Sequence, residues 1–220
     1  MSSRRPSGFF RCLMTKQLEL WRSKFGIEYA ERANNAITAE DQRRLARDWG
    51  KMLRHAVTPS PRKVLEVGCN IGRNLLALSN FVEEVHGIEP NASACEAARK
   101  LLGNRNAVIQ EGDGFNLPYE NCSMDLVFTS GVLIHVAPED LGRMTDEIIR
   151  VASRYVLCIE YFSHNPEQIP YHNMEGYLFK RDFGSFYLER YPKLKVLDYG
   201  FLWQPLDSSD NSNWWLFEKA

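Results

Sequence analysis

Acidic and small residues recur in this 220-residue chain just after short apolar runs, at points where they can hold a nucleoside. The first run leads into Glu66-Val67-Gly68-Cys69-Asn70-Ile71-Gly72-Arg73-Asn74, an E-x-G-x-x-x-G pattern that opens into helical sequence. Glycine has no Cβ, so the backbone at Gly68 and Gly72 can approach a ligand closely. The second run closes on Glu89-Pro90, and a carboxylate there can accept hydrogen bonds from both hydroxyls of a ribose. The third is followed by Glu111-Gly112-Asp113-Gly114, where Asp113 can take the exocyclic amine of an adenine. The fourth runs into Thr129-Ser130-Gly131 and then His135. Each piece also has a plainer reading: Glu89 suits a solvated strand end, and Asp113 between glycines suits a turn. Taken in order, they describe a site for a ribose and an adenine that needs no phosphate. A dinucleotide site wants G-x-G-x-x-G to seat a pyrophosphate, and Asn70 stands where its middle glycine belongs. That argues against a nicotinamide-dependent oxidoreductase.

Such residues need a scaffold that holds strand ends side by side. Val64–Gly68, Val85–Glu89, Ala107–Ile109, Asp125–Phe128 and Tyr155–Glu160 read as strands. Gly72–Leu78, Ala92–Leu102 and Asp140–Ala152 read as the helices between them. Alternation of this kind implies an α/β parallel sheet covered on both faces, with ligands beyond the carboxyl ends of its strands. Asp182–Arg190 reads as a further helix. Lys195–Phe201 and Trp214–Glu218 read as two late strands joined by a polar loop, an antiparallel edge. Before the sheet, residues 15–57 read as a helical cap, with a helix start at Thr38-Ala39-Glu40-Asp41. Thr58-Pro59-Ser60-Pro61 breaks that pattern and opens the region 58–220. Residues 1–14 read as a basic tail, and Met14 is a candidate start because the helical pattern begins right after it.

With these motifs in hand, residues 60–160 resemble the class I S-adenosylmethionine (SAM) dependent methyltransferase superfamily. Glu66–Gly72 resembles its first motif, Glu89 and Asp113 its two later acidic positions, and Asp125-Leu126-Val127 its fourth strand. A narrower resemblance, to the pseudaminic acid biosynthesis-associated methylase family, runs from Gln17-Leu-Glu-Leu-Trp21 to Asp198-Tyr199-Gly200-Phe201. It also takes in Ser153-Arg154-Tyr155, Glu160-Tyr161-Phe162, Pro170-Tyr171-His172 and Leu178-Phe179-Lys180-Arg181-Asp182-Phe183. The resemblance implies a Rossmann-like seven-stranded sheet with helices on both faces and an N-terminal helical cap. It implies SAM as cofactor, held by Glu66, Gly68, Asn70, Gly72, Asn74, Glu89, Pro90, Asp113, Gly114 and Ser130. The narrower family implies an acceptor from surface-sugar assembly, such as a sugar acid or sugar nucleotide.

Methyl transfer from a sulfonium is an in-line displacement, and holding nucleophile and methyl in line does most of the work. A hydroxyl acceptor also loses a proton, so a base helps. His135, after the fourth strand, is the candidate, its ordinary pKa near 6.5 leaving it partly neutral at pH 7. Tyr29 in the cap is a second catalytic candidate that closes the site or bonds the acceptor, unless it simply packs with Trp21 and Phe25. Tyr161, Tyr171, Lys180 and Arg181 follow the fifth strand, where loops carry specificity. A Lys-Arg pair beside aromatic rings suits an acidic acceptor, though it also suits a solvated helix start. O-methylation is the first expectation. Methylation of a phosphonate, carboxylate or amine is one alternative, and a non-catalytic SAM-binding partner protein is another.

Composition sets outer bounds. There are 27 Lys and Arg against 28 Asp and Glu, so no general pull toward nucleic acid. No apolar run approaches a membrane span or a secretion signal. Five cysteines without a C-x-x-C pair point to reduced thiols and a cytoplasmic setting. His164 and His172 with Glu160 and Glu175 match no zinc spacing, so no metal is expected. The expected partner is a small molecule, and the expected state is a monomer or homodimer.

Overall fold

The computed structural model describes residues 14–33, 37–56, 58–207 and 210–220. The tail expected over 1–14 lies outside the described residues except for Met14. The helical cap resolves into three helices. The first, α1 (Lys16–Arg22), starts at Thr15, whose hydroxyl accepts the Leu18 N–H at 3.1 Å. Ser23 ends it in an extended conformation, and its hydroxyl donates back to the Leu20 carbonyl at 2.7 Å. A serine that satisfies a free carbonyl in this way competes with helix continuation, a break the apolar spacing gave no sign of. Then α2 (Lys24–Ala33) follows at once. The third, α3 (Ala39–Met52), opens on the expected start: Thr38 Oγ1 accepts the Asp41 N–H, and Asp41 accepts the Thr38 N–H at 2.9 Å.

The remainder is a seven-stranded sheet in the order β3-β2-β1-β4-β5-β9-β8. Its parallel part is β1 (Lys63–Val67), β2 (Glu84–Glu89), β3 (Ala107–Glu111), β4 (Met124–Ser130) and β5 (Ala152–Glu160). The two late strands are present as expected, β8 (Leu194–Leu202) and β9 (Ser212–Lys219), both in antiparallel pairings. Between them in space the order is reversed: β9 lies inside, against β5, and β8 forms the edge. The covering helices are α4 (Arg73–Leu78), α5 (Ala92–Leu102), α6 (Pro138–Val151) and α7 (Phe183–Arg190), with a 3₁₀ turn at Leu133–His135. A two-stranded ribbon, β6 (Glu167–Gln168) with β7 (Phe179–Lys180), was not expected, since two residues carry no periodicity.

Side chains alternate across each strand, and the core divides accordingly. Val64, Leu126, Phe128 and Trp214 join Trp49 and Met52 of α3 on one face. Leu65, Val127 and Phe217 join Ile148 of α6 and Phe183 of α7 on the other. Glu66 shares its face with Val64, so the period of two carries its carboxylate toward α3. Chain order reverses between β1 and β4, and this is where an open α/β sheet leaves a crevice.

Candidate active site

At that crevice the strand-end motifs converge. Gly68 has φ +79°, and a Cβ there would sit 2.5 Å from Val132 Cγ2. Its N–H and that of Cys69 both bond the Ile88 carbonyl, at 2.7 and 3.0 Å, which pins the turn to β2. Glu89 then braces the turn from the next strand. Its two oxygens accept the Asn70 N–H at 2.9 Å and the Asn91 N–H at 3.0 Å. Burial lifts its carboxyl to about 7, and those two amides hold it back from rising further. Asp113 accepts the Phe115 N–H at 3.0 Å and pairs with Arg22 at 3.3 Å.

Gly68, Asn70, Glu89, Asn91 and Asp113 border a cavity of about 150 Å³, together with Pro90, Gly114, Ser130 and Met144. Its roof is the start of the chain's helical cap, with Leu18, Trp21, Gly26 and Tyr29 facing in. The roof is fastened at three points. Gln17 Nε2 donates to the Gly176 carbonyl at 2.9 Å, Asn91 Nδ2 to the Trp21 carbonyl at 2.9 Å, and Arg22 reaches Asp113. Nothing local in the sequence says that Trp21 meets Asn91 after the second strand or that Arg22 meets Asp113 after the third.

A larger cavity of about 600 Å³ adjoins the first on the α3 face. Glu66, Asn74, Tyr161 and Tyr171 line it, as do Asp48, Arg73 and Asp210, which the sequence did not single out. Asn74 Nδ2 donates to Glu66 Oε1 at 2.7 Å, while Glu66 Oε2 is buried with no partner among the described residues. Burial lifts the Glu66 carboxyl to about 8; Asn74 opposes the rise and Glu89 adds to it. Gly72 borders neither cavity and instead packs against Ala98. Lys180 and Arg181 border neither as well: Lys180 lies 5.6 Å from the Tyr161 ring centre, and Arg181 stacks 4.6 Å from Phe186.

Tyr29, Gly68, Asn70, Ser130, Gly131 and His135 border both cavities. His135 is packed between Trp21 and Tyr171, with ring centres 5.0 and 4.8 Å away. Its Nδ1 lies 2.6 Å from the Tyr177 carbonyl. A carbonyl only accepts, so Nδ1 carries the proton and Nε2 is left as an acceptor. The expectation of a pKa near 6.5 is overturned: burial takes it down to about 4, with the Tyr177 bond opposing. The turn that carries His135 hangs on a residue that the sequence reading used as a strand end, in a family motif and in a metal set it set aside, but never as a support for this turn. Glu160 at the end of β5 is wholly buried and accepts the N–H groups of Val132, Leu133 and Ile134 at 3.2, 3.0 and 3.3 Å. A charged residue closing the apolar run of β5 was the available signal.

Residues 64–154 match the methyltransferase domain family. The chain has the methyltransferase fold. Solved structures of that fold include ones with bound SAH and with bound SAM. The chain's relatives include a methyltransferase of Bacillus subtilis, YcgJ, 26% identical over 142 residues. That match covers 61% of this chain and 55% of the relative, so the chain spans about half the length of that protein. A methyltransferase of Mycobacterium leprae, MLBr02584, is 25% identical over 209 residues, 93% of this chain and 76% of the relative. Among solved structures, magnesium protoporphyrin IX methyltransferase from Synechocystis, with bound SAH, superposes with a TM-score of 0.65 at 14% identity. It covers 92% of this chain and 97% of that one, and so shares the methyltransferase fold from cap to edge strand. Among the described residues no cluster of His, Cys, Asp and Glu is placed to hold a metal ion. None of the described helices is long and apolar enough to cross a membrane. Cys69, Cys95 and Cys158 are buried free thiols, and Cys122 is an exposed one.

Proposed function

We propose that this methyltransferase moves the methyl group of SAM onto a hydroxyl of a small polar acceptor, with cofactor and acceptor meeting where the two cavities join. The observation that carries this is the shared wall of Tyr29, Ser130, Gly131 and His135 between the cleft at the strand-end motifs and a larger polar cavity. SAM supplies an activated methyl group, and the protein's task is alignment. The residues present fit SAM. The unpartnered oxygen of Glu66 suits an α-ammonium, and Arg73 on the same wall suits the α-carboxylate. Glu89 keeps spare lone pairs for ribose hydroxyls, since a carboxylate offers about four acceptor sites. Asp113 and Gly114 line the smaller cavity and suit an adenine there.

At the junction the neutral His135 offers Nε2 to a hydroxyl proton. Tyr29, its own proton held tightly by burial and by Asp210, can donate to the acceptor. The acidic acceptor that Lys180 and Arg181 suggested draws little support, because neither side chain borders the cavity. The family resemblance keeps surface sugars as the class to screen first. Titration calorimetry with SAM, and separately with NAD, tests the reading. One SAM site per chain and no NAD binding are expected, and folded protein that binds no SAM would overturn it. Formation of SAH with any acceptor would remove the alternative of a non-catalytic partner.

A further inference from the structure

We propose that the larger cavity selects an acceptor carrying a protonated amino group and turns away carboxylates and phosphates; this rests on the methyltransferase reading above. The walls bring Asp41, Asp48, Glu66 and Asp210 to one cavity, against Arg73 as the cation among its lining residues. Glu66 and Arg73 answer the two charges on the amino-acid end of SAM, and so cancel. Asp48 is paired with Arg47 at 3.2 Å, and Asp41 is held in the cap of α3. Asp210 remains. It accepts the Tyr161 hydroxyl at 2.9 Å and a Gln204 amide at 3.3 Å, and no ion pair reaches it among the described residues.

Three tyrosines, Tyr29, Tyr161 and Tyr171, line the same cavity, and all three lie within the electrostatic reach of Asp210. An aromatic face is negative at its centre and attracts an ammonium group, most of all where water is thinned out. Two rings of this set already draw cations from outside: Lys180 lies 5.6 Å from Tyr161, and Arg32 lies 5.9 Å from Tyr29. Neither cation borders the cavity. Rings and carboxylate together form a half-open cage of negative potential beside the methyl-transfer junction. A ligand carboxylate beside it would meet like charge at Asp210 and the negative faces of the rings, with Arg32 near Tyr29 and Tyr171 as the opposing cation. The nucleophilic hydroxyl and the amino group then lie on one molecule, the first at His135 and the second at Asp210.

Glucosamine, N-acetylglucosamine and glucuronate present one ring size with positive, neutral and negative charge. Each is to be titrated, at low ionic strength, into the protein saturated with S-adenosylhomocysteine. Glucosamine should bind roughly tenfold more tightly than its N-acetyl form, and glucuronate most weakly. Asp210→Asn should bring glucosamine to within about twofold of the N-acetyl form while leaving S-adenosylhomocysteine affinity unchanged. The proposal is overturned if glucuronate binds as well as glucosamine, if Asp210→Asn keeps the original order, or if cofactor-loaded protein binds none of the three. Protein that fails to bind S-adenosylhomocysteine would instead sink the methyltransferase reading itself.

Discussion

Glu66 lies buried on the wall of the larger cavity, with its carboxyl lifted by burial to about 8. At pH 7 it therefore holds its proton most of the time. Docking of an ammonium group against its open oxygen favours the charged form, and the proton leaves. SAM binding at pH 7 is thus expected to release up to about one proton. Calorimetric enthalpies that differ between phosphate and Tris buffers would register it. Glu66→Gln should abolish that difference and weaken SAM binding about tenfold; equal enthalpies for the native protein would remove Glu66 from this role. His135 follows the opposite logic. With its pKa at about 4, the ring is neutral across the working range, and turnover should show no step near 6.5 on its account. His135→Ala is expected to lower kcat about 10²-fold with SAM affinity within about threefold. A native step near 6.5 that disappears in the variant would contradict the neutral assignment. The sequence disclosed that an acid and a histidine stand at these strand ends. It did not disclose their protonation, because burial is set by α3, by Trp21 and by Tyr171, all distant in the chain.

At the level of elements, the roof over the nucleoside cleft depends on one close approach. A Cβ on Gly26 of α2 would lie 1.9 Å from the Trp21 carbonyl oxygen and 2.8 Å from Asn91 Nδ2. Gly26→Ala must therefore push α1 and α2 apart from α5, and overpacking of this kind costs about 1–3 kcal/mol. SAM affinity should fall about tenfold as a result, by calorimetry. Gly50→Ala in α3 meets nothing within 4 Å and should stabilise the fold by about 0.5–1 kcal/mol, which makes it the matched control. If both variants bind SAM like the native protein, the roof is not what shapes the cleft. Glu160→Gln removes the charged acceptor from three N–H groups and should cost about 1–3 kcal/mol in urea unfolding. The elements themselves were largely legible. Strands β1 to β5, the late pair β8 and β9, and the cap of α3 follow from periodicity and capping residues. The break at Ser23, the ribbon β6–β7 and the sites of Lys180 and Arg181 were not legible, since tertiary contacts decide them.

For the molecule as a whole, buried carboxyls set the response to pH. Glu66, Glu89 and Glu160 rise from 4.5 to about 8, 7 and 7. The folded chain keeps their protons where the unfolded chain has lost them, so their contribution fades as pH climbs from 4.5 through 8. His135 works the other way: the unfolded chain gains a proton below 6.5, and the folded chain not until about 4. Above 6.5 the carboxyls act and, toward 8.5, the buried thiols of Cys69, Cys95 and Cys158, pushed up by burial, act in the same direction, so the urea midpoint should decline between pH 6.5 and 8.5; a flat or rising midpoint would refute this. Strand order adds a constraint in time. β9 is the last strand in the chain, yet it is wedged between β5 and β8. During synthesis β5 must wait with one apolar edge unpaired, and β8 emerges with no neighbour to join. At ~5–20 residues per second, the stretch from Glu160 to Ser212 keeps that edge open for some seconds on the ribosome. The sheet therefore closes only when β9 has left the exit tunnel, and a nascent chain stalled before Ser212 is a ready client for a chaperone.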